Sequence, residues 1–298
     1  MSAVAIEAAS VEALSPLAEL LSPLTVTDFL ELLRRRELIY RPRSNADRFV
    51  QAAGWAALQR IIEAGQQPVE RDGIRVTKES HVVPPDRWMT DGKVDVAKLN
   101  AFLADGYSVV ALRIEAHVPA LAAICDEIKT QVGERSFVGA IITSGVRAGA
   151  FKTHYDPEDL IILQVEGTKR WKVFGPVVPN PLQRMPKVML ENPELIFDEV
   201  LEPGDLLFVP GGYWHHCESG FSTSVHLGIF FMPPTAWHVI QKIIRPLITD
   251  EFFRRPLTRL NEENALATVE ADLKKRLIAK IEELDLGEFV ARWRTQAH

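Results

Sequence analysis

Over the first hundred residues, apolar positions recur at three- and four-residue steps. Phe29, Leu32 and Leu33 follow Thr25-Val26-Thr27-Asp28, a segment with capping-box spacing, and predict a helix running to Arg36. A short apolar strand, Leu38-Ile39-Tyr40, comes next. Leu58, Ile61 and Ile62 mark a second helix over residues 55–64, ended by Gly65, and residues 94–104 form a third, closed by Gly106. Residues 66–92 between them are polar and broken by Pro84-Pro85 and Gly92, which predicts a surface loop with a strand at 74–76. Residues 1–24, rich in Ala and Leu with prolines at 16 and 23, read as a loosely packed helix or arm.

The period changes after Gly106. Residues 108–114 predict a strand and residues 118–132 an amphipathic helix with Leu121, Ile124, Cys125 and Ile128 inward. Short β-branched or aromatic runs then follow at 138–143, 160–165, 170–174, 199–201, 206–209 and 223–231, separated by Gly, Pro or Asp. Such spacing predicts a β-sandwich or barrel and not alternating βαβ units. After Pro233-Pro234 the pattern is helical again, over 237–248 and along a charged stretch at 262–293. In that stretch Leu266, Val269, Leu273, Leu277, Ile281 and Leu284 form an apolar stripe that needs a partner, and a homodimer built on this region is expected. Three regions follow: a mainly helical 1–105, a β-rich 106–235 and a helical 236–298. The fold class is a mainly β core with flanking helices, α+β.

Composition narrows the function classes. With 298 residues, 47% hydrophobic and 25% charged, the chain has the make-up of a soluble globular protein. A net charge of −6 and a pI near 5.8 speak against an extended nucleic-acid surface. Two distant cysteines, Cys125 and Cys217, imply neither a disulfide framework nor a thiolate zinc site, and a reducing cytoplasm is expected. No apolar run approaches the roughly 20 residues that cross a bilayer, so no membrane association is expected.

The chemistry concentrates in two segments, Thr153-His154-Tyr155-Asp156 and Pro210-Gly211-Gly212-Tyr213-Trp214-His215. Residues two apart on a strand share a face, so His154 and Asp156 are expected to project together. Two histidines and one carboxylate form a facial triad for non-haem Fe(II) that leaves coordination positions open. The second segment has Gly204, Pro210, Gly212 and His215 at the places of the second cupin motif, which selects His215 over His216 as the ligand. Adjacent strand residues face opposite sides, so only one of this pair can look inward. The fourth ligand of other cupins is missing, since Leu160 and Ile161 stand where a Glu would be.

With Gln164-Val165-Glu166-Gly167 and Lys169-Arg170-Trp171 added, residues 106–232 resemble the JmjC-type Fe(II)- and 2-oxoglutarate-dependent oxygenases. The branch they are most similar to is that of the ribosomal-protein and asparaginyl hydroxylases. The resemblance implies a double-stranded β-helix, with Fe(II) held by His154, Asp156 and His215, and with 2-oxoglutarate and O2 as cosubstrates. It places Lys169 against the far carboxylate of 2-oxoglutarate, Thr143 beside the same cosubstrate and His226 near the iron. The implied reaction hydroxylates a C–H bond of a protein or peptide side chain and decarboxylates 2-oxoglutarate to succinate. A free amino acid or natural-product intermediate is the alternative substrate, and a non-catalytic metal-binding or scaffold cupin the alternative of another class. Ala140 departs from the Asn that the ribosomal branch often carries, so one cosubstrate or substrate contact is expected to be missing or supplied from elsewhere. Residues 236–298 are too few for both a dimerising bundle and a winged helix, and no winged helix is expected. A proline-rich loop near 175–198 is expected to form the rim of the mouth.

Overall fold

The computed structural model describes residues 14–42, 49, 52–65, 73–133, 136–145, 148–176, 179–182, 194–220, 222–232, 234–258 and 265–295. The chain divides into two compact units, one of Met1–Ile128 with Arg135–Met232 and the other of Lys129–Glu134 with Pro233–His298.

The first unit begins with α1 (Pro16–Leu21), α2 (Val26–Arg35), β1 (Ile39–Arg41), α3 (Trp55–Glu63), β2 (Ile74–Lys78) and β3 (His81–Val83). A hairpin of β4 (Met89–Thr90) and β5 (Lys93–Val94), α4 (Val96–Ala104), β6 (Ser108–Leu112) and α5 (Pro119–Val132) follow. The remaining strands are β7 (Ser136–Thr143), β8 (Asp159–Glu166), β9 (Lys169–Pro176), β10 (Leu195–Leu201), β11 (Leu206–Val209), β12 (Tyr213–Ser219) and β13 (Ser224–Phe231). All pairing is antiparallel. An eight-stranded sheet in the order β1-β11-β8-β13-β7-β6-β2-β3 faces a three-stranded sheet in the order β10-β9-β12. Leu160, Ile162, Leu207 and Val209 of the large sheet pack against Trp171, Val173 and Leu201 of the small one. The other face of the large sheet is also covered: Phe29 of α2 meets Phe208 edge-on at 5.4 Å between ring centroids. A sheet buried on both faces has continuous apolar strands, which is why Leu160 to Leu163 show no alternation.

Several local expectations change. The arm at the N-terminus is packed, because Leu17, Leu20 and Leu21 are buried and Glu127 accepts from the Leu17 amide at 2.8 Å. Residues 1–13 lie outside the described residues. The region before residue 106 is less purely helical than its periodicity suggests, since β1 and β2 pair with β11 and β6 and extend the large sheet. Helix α4 starts at Val96 because Asp95 accepts from the Lys98 amide and caps it, while Asp91 and Gly92, both at positive φ, turn the hairpin before it. The rim loop falls largely outside the described residues, and β10 begins at Leu195, earlier than expected.

The second unit contains α6 (Ala236–Ile244), α7 (Glu251–Arg254), α8 (Ala265–Glu282) and α9 (Leu286–Thr295). The stretch expected as one long helix is therefore two, parted after Glu282. Arg276 ties α8 to the start of α7, bonding Asp250 at 2.9 Å and lying 4.3 Å over the Phe252 ring. His238 and Phe289 pack on Trp293, with centroids 4.7 and 5.6 Å away. Leu266, Leu273, Ile281 and Leu284 of the predicted stripe are exposed, as are Trp237, Ile240, Ile244 and Ile248.

Candidate active site

His154 and His215 meet as an isolated antiparallel bridge between the loop before β8 and strand β12. The His154 amide donates to the His215 carbonyl at 3.1 Å, and the His215 amide donates back at 2.7 Å. The expected strand through His154 and Asp156 reduces to this one bridge. Pro157 has no N–H, so no ladder can run on through it. Instead the Gly212 amide donates to the Asp156 carbonyl at 2.8 Å, fixing the second segment beside the first. Tyr155 lies between the two site residues and packs on Trp214, centroids 5.6 Å apart.

The three side chains converge. Asp156 Oδ2 is 3.7 Å from His154 Nε2 and 3.6 Å from His215 Nε2, and one ligand atom from each of the three lies within 4.8 Å of the others. An ion about 2.1 Å from each donor would hold neighbouring donors about 3 Å apart, so a small contraction closes the set around a metal. The far ring nitrogens are engaged with carbonyls: His154 Nδ1 with Lys152 O at 2.8 Å and His215 Nδ1 with Tyr213 O at 3.1 Å. A carbonyl only accepts, so each Nδ1 carries the proton and each Nε2 keeps a lone pair for a metal. His216 leaves the opposite face of β12 and pairs with Glu218 at 2.9 Å.

Lys169, Thr143 and His226 form a second group inside the barrel. Lys169 Nζ is 3.1 Å from Thr143 Oγ1 and 3.0 Å from His226 Nδ1, and all three side chains are buried. Burial pushes the Lys169 amine below its ordinary pKa. Burial, with Lys169 beside it, pushes His226 well below its own, so the imidazole is neutral and its Nδ1 accepts from the lysine. Thr143 Oγ1 also bonds Ser108 Oγ at 2.9 Å, which fixes its position. Ala140 leaves the face of β7 opposite to Thr143.

Two further residues join the groups. Trp171 follows Lys169 by two on β9 and lies between the triad and the lysine, its ring 5.9 Å from His215 and 5.2 Å from His226. Period-two alternation from Lys169 would have found it. Gln164 Nε2 donates to Ser224 Oγ and to the carbonyls of Glu166 and Gly167, ordering the tight turn that delivers Lys169. Gly167 sits there at φ +57, and a Cβ would come 2.3 Å from Thr223 O, so the turn requires glycine.

A triad with open positions beside a buried lysine, on a double-stranded β-helix, defines the class of JmjC-like barrels. Residues 116–239, which include strands β7 to β13, match the JmjC domain. The chain is 27% identical over 214 residues to the bifunctional lysine-specific demethylase and histidyl-hydroxylase NO66 of Drosophila grimshawi, a match covering 67% of this chain and 28% of that protein. It thus spans under a third of that relative's length. It is also 25% identical over 268 residues to the uncharacterised protein YxbC of Bacillus subtilis, covering 80% of this chain and 78% of that one. Among solved structures, the ribosomal oxygenase YcfD of Escherichia coli in complex with cobalt and succinic acid aligns with a TM-score of 0.58 at 17% identity, over 88% of this chain and 70% of that one. At that identity the likeness establishes the shared fold.

Proposed function

We propose that this chain is an Fe(II)- and 2-oxoglutarate-dependent dioxygenase that hydroxylates a C–H bond of a protein or peptide side chain, with His154, Asp156 and His215 as iron ligands. The observation that carries this reading is the pairing of the His-Asp-His donor set with a fully buried lysine whose two partners are neutral. A structural metal would need no such cation, so a scaffold cupin is the poorer account. When bound, Fe(II) and 2-oxoglutarate supply the oxidising chemistry, which consumes O2 and releases succinate and CO2.

The residues of the chain bind, orient and exclude water. Lys169, with Thr143 and His226 around it, holds the far carboxylate of 2-oxoglutarate by a charge-assisted bond in a dry site. Asp156 and His215 are the more enclosed ligands, whereas the His154 side chain is 25% exposed. Substrate therefore approaches from the His154 side, past Phe151, whose ring is 5.4 Å from that imidazole. The name of the NO66 relative and that of the ribosomal oxygenase YcfD favour a protein side chain over a free amino acid or natural product. Anaerobic loading with Fe(II) and then 2-oxoglutarate is expected to give a weak visible charge-transfer band, and aerobic turnover to release succinate. Absence of both would overturn the reading.

The exposed apolar side chains of α6, α8 and the turns around them support a homodimer built on the second unit. Sedimentation at micromolar concentration is expected to show a dimer, and Ile244→Glu with Ile248→Glu to shift it toward monomer. Two free thiols, Cys125 and Cys217, support a reducing cytoplasm, and among the described residues no helix is long and apolar enough to cross a membrane.

A further inference from the structure

The two ligand-bearing segments are zipped together at one end by the His154–His215 bridge and in the middle by the Gly212 amide on the Asp156 carbonyl. At the far end the closure is made by side chains. Arg36 Nη1 lies 2.6 Å from Asp159 Oδ1 and 2.7 Å from Oδ2, and its Nη2 donates to the Gly211 carbonyl at 3.1 Å. Asp159 Oδ1 also accepts from the Gly211 amide at 2.8 Å, and the Tyr213 hydroxyl donates to the Arg36 carbonyl at 2.9 Å. Gly211 is pressed so close to the first segment that a Cβ would lie 2.3 Å from Pro157 O.

Arg36 is the C-cap of α2 and holds a left-handed backbone at φ 58, an unusual conformation for arginine, while its own amide closes on Leu32 and Leu33. This conformation turns the carbonyl to Tyr213 and the side chain to Asp159. One residue outside the JmjC match thus bonds residues three after Asp156 and four and two before His215. The Asp159 side chain is 1% exposed, so its carboxylate depends on Arg36 and the Gly211 amide in place of water.

We infer that Arg36 and Asp159 are positioning residues for the metal site: their ion pair, with the Tyr213 bond, sets the spacing between the two ligand segments and so the metal affinity. The inference rests on the triad being a metal site. Helix α2 is then part of the site's framework and not merely a cover on the sheet. Metal ligands depend on such supporting contacts, whose loss costs about 10- to 100-fold in affinity.

The test compares Co(II) binding, followed by its visible absorption, in the 298-residue wild type and in variants whose folding is followed by far-ultraviolet circular dichroism. Arg36→Met is expected to weaken Co(II) about 10-fold or more, and Tyr213→Phe by a smaller factor in the same direction. Arg36→Met with Asp159→Asn removes the stranded carboxylate without restoring the tie, so folding should recover while metal affinity stays low. Should Arg36→Met not fold, Arg36→Lys keeps the charge, loses the fork across Asp159 and Gly211, and is expected to weaken Co(II) as well. Leu58→Ala, in the core of α3, lowers stability without touching the clamp and should leave affinity within twofold. Wild-type binding with unchanged affinity in the folded Arg36 variants, or weakening by Leu58→Ala that matches theirs, overturns the clamp and leaves the metal site standing. Absence of any Co(II) signal from the wild type overturns both.

Discussion

His154→Ala is expected to abolish the charge-transfer band and to reduce succinate formation by at least about 100-fold, because even supporting contacts around a ligand are worth 10- to 100-fold. His154 is the best of the three to remove. Its side chain is the most exposed of the set, so truncation opens no deep cavity, whereas His215 packs against Trp171 in the barrel. The His154–His215 bridge is made by backbone atoms and survives the substitution. A folded His154→Ala protein that kept the band would remove His154 from the ligand set and leave only two donors, too few for the facial triad. Retained folding with loss of the band would locate the defect at the metal.

The barrel strands were legible because apolar runs bounded by Gly, Pro and Asp are what a sheet buried on both faces demands. Strand 206–209 has the predicted bounds, and β7, β8 and β13 each lie within two residues of theirs. Strand β12 was not legible from apolar periodicity, and only the motif register at His215-His216 treated it as a strand. Its Tyr-Trp-His-His-Cys-Glu-Ser run is chosen for chemistry on one face and a charged pair on the other, so no apolar alternation remains. Segment spacing along the chain pointed to His154, Asp156 and His215, and the family resemblance added Lys169. What spacing could not carry was the tie between Arg36 and Asp159, which are 123 residues apart and joined only by the packing of α2 on the large sheet. The β1 pairing escaped for the same reason, since three residues show no period of their own. The break between α8 and α9 has a local cause: the Glu283 and Leu284 amides close back on α8, and Asp285 starts a new helix by accepting from the Glu288 amide.

Lys169→Met should weaken 2-oxoglutarate binding by about 30-fold or more while Fe(II) or Co(II) affinity stays near wild type, since removing one side of a buried charged hydrogen-bonded pair costs about 2 kcal/mol or more. Isothermal titration with and without metal separates the two effects. The apo protein should respond the other way. Without the dicarboxylate, the lysine is a buried amine hydrogen-bonded to a hydroxyl and a neutral imidazole, and burial holds its pKa below the ordinary value although the nearby Cys217 thiol acts the other way. Between that lowered pKa and the ordinary lysine pKa, the unfolded chain binds the proton that the folded chain has released, so apo stability should rise with pH across that window. The charged amine is the form that would hold the carboxylate, so 2-oxoglutarate affinity should fall with rising pH over the same window, with proton uptake on binding. Lys169→Met should flatten both slopes together. Opposite slopes in one protein, both removed by one substitution, are not expected of a lysine that merely ends a strand in water; a variant that kept either slope or bound 2-oxoglutarate normally would refute the role of Lys169 as cosubstrate anchor.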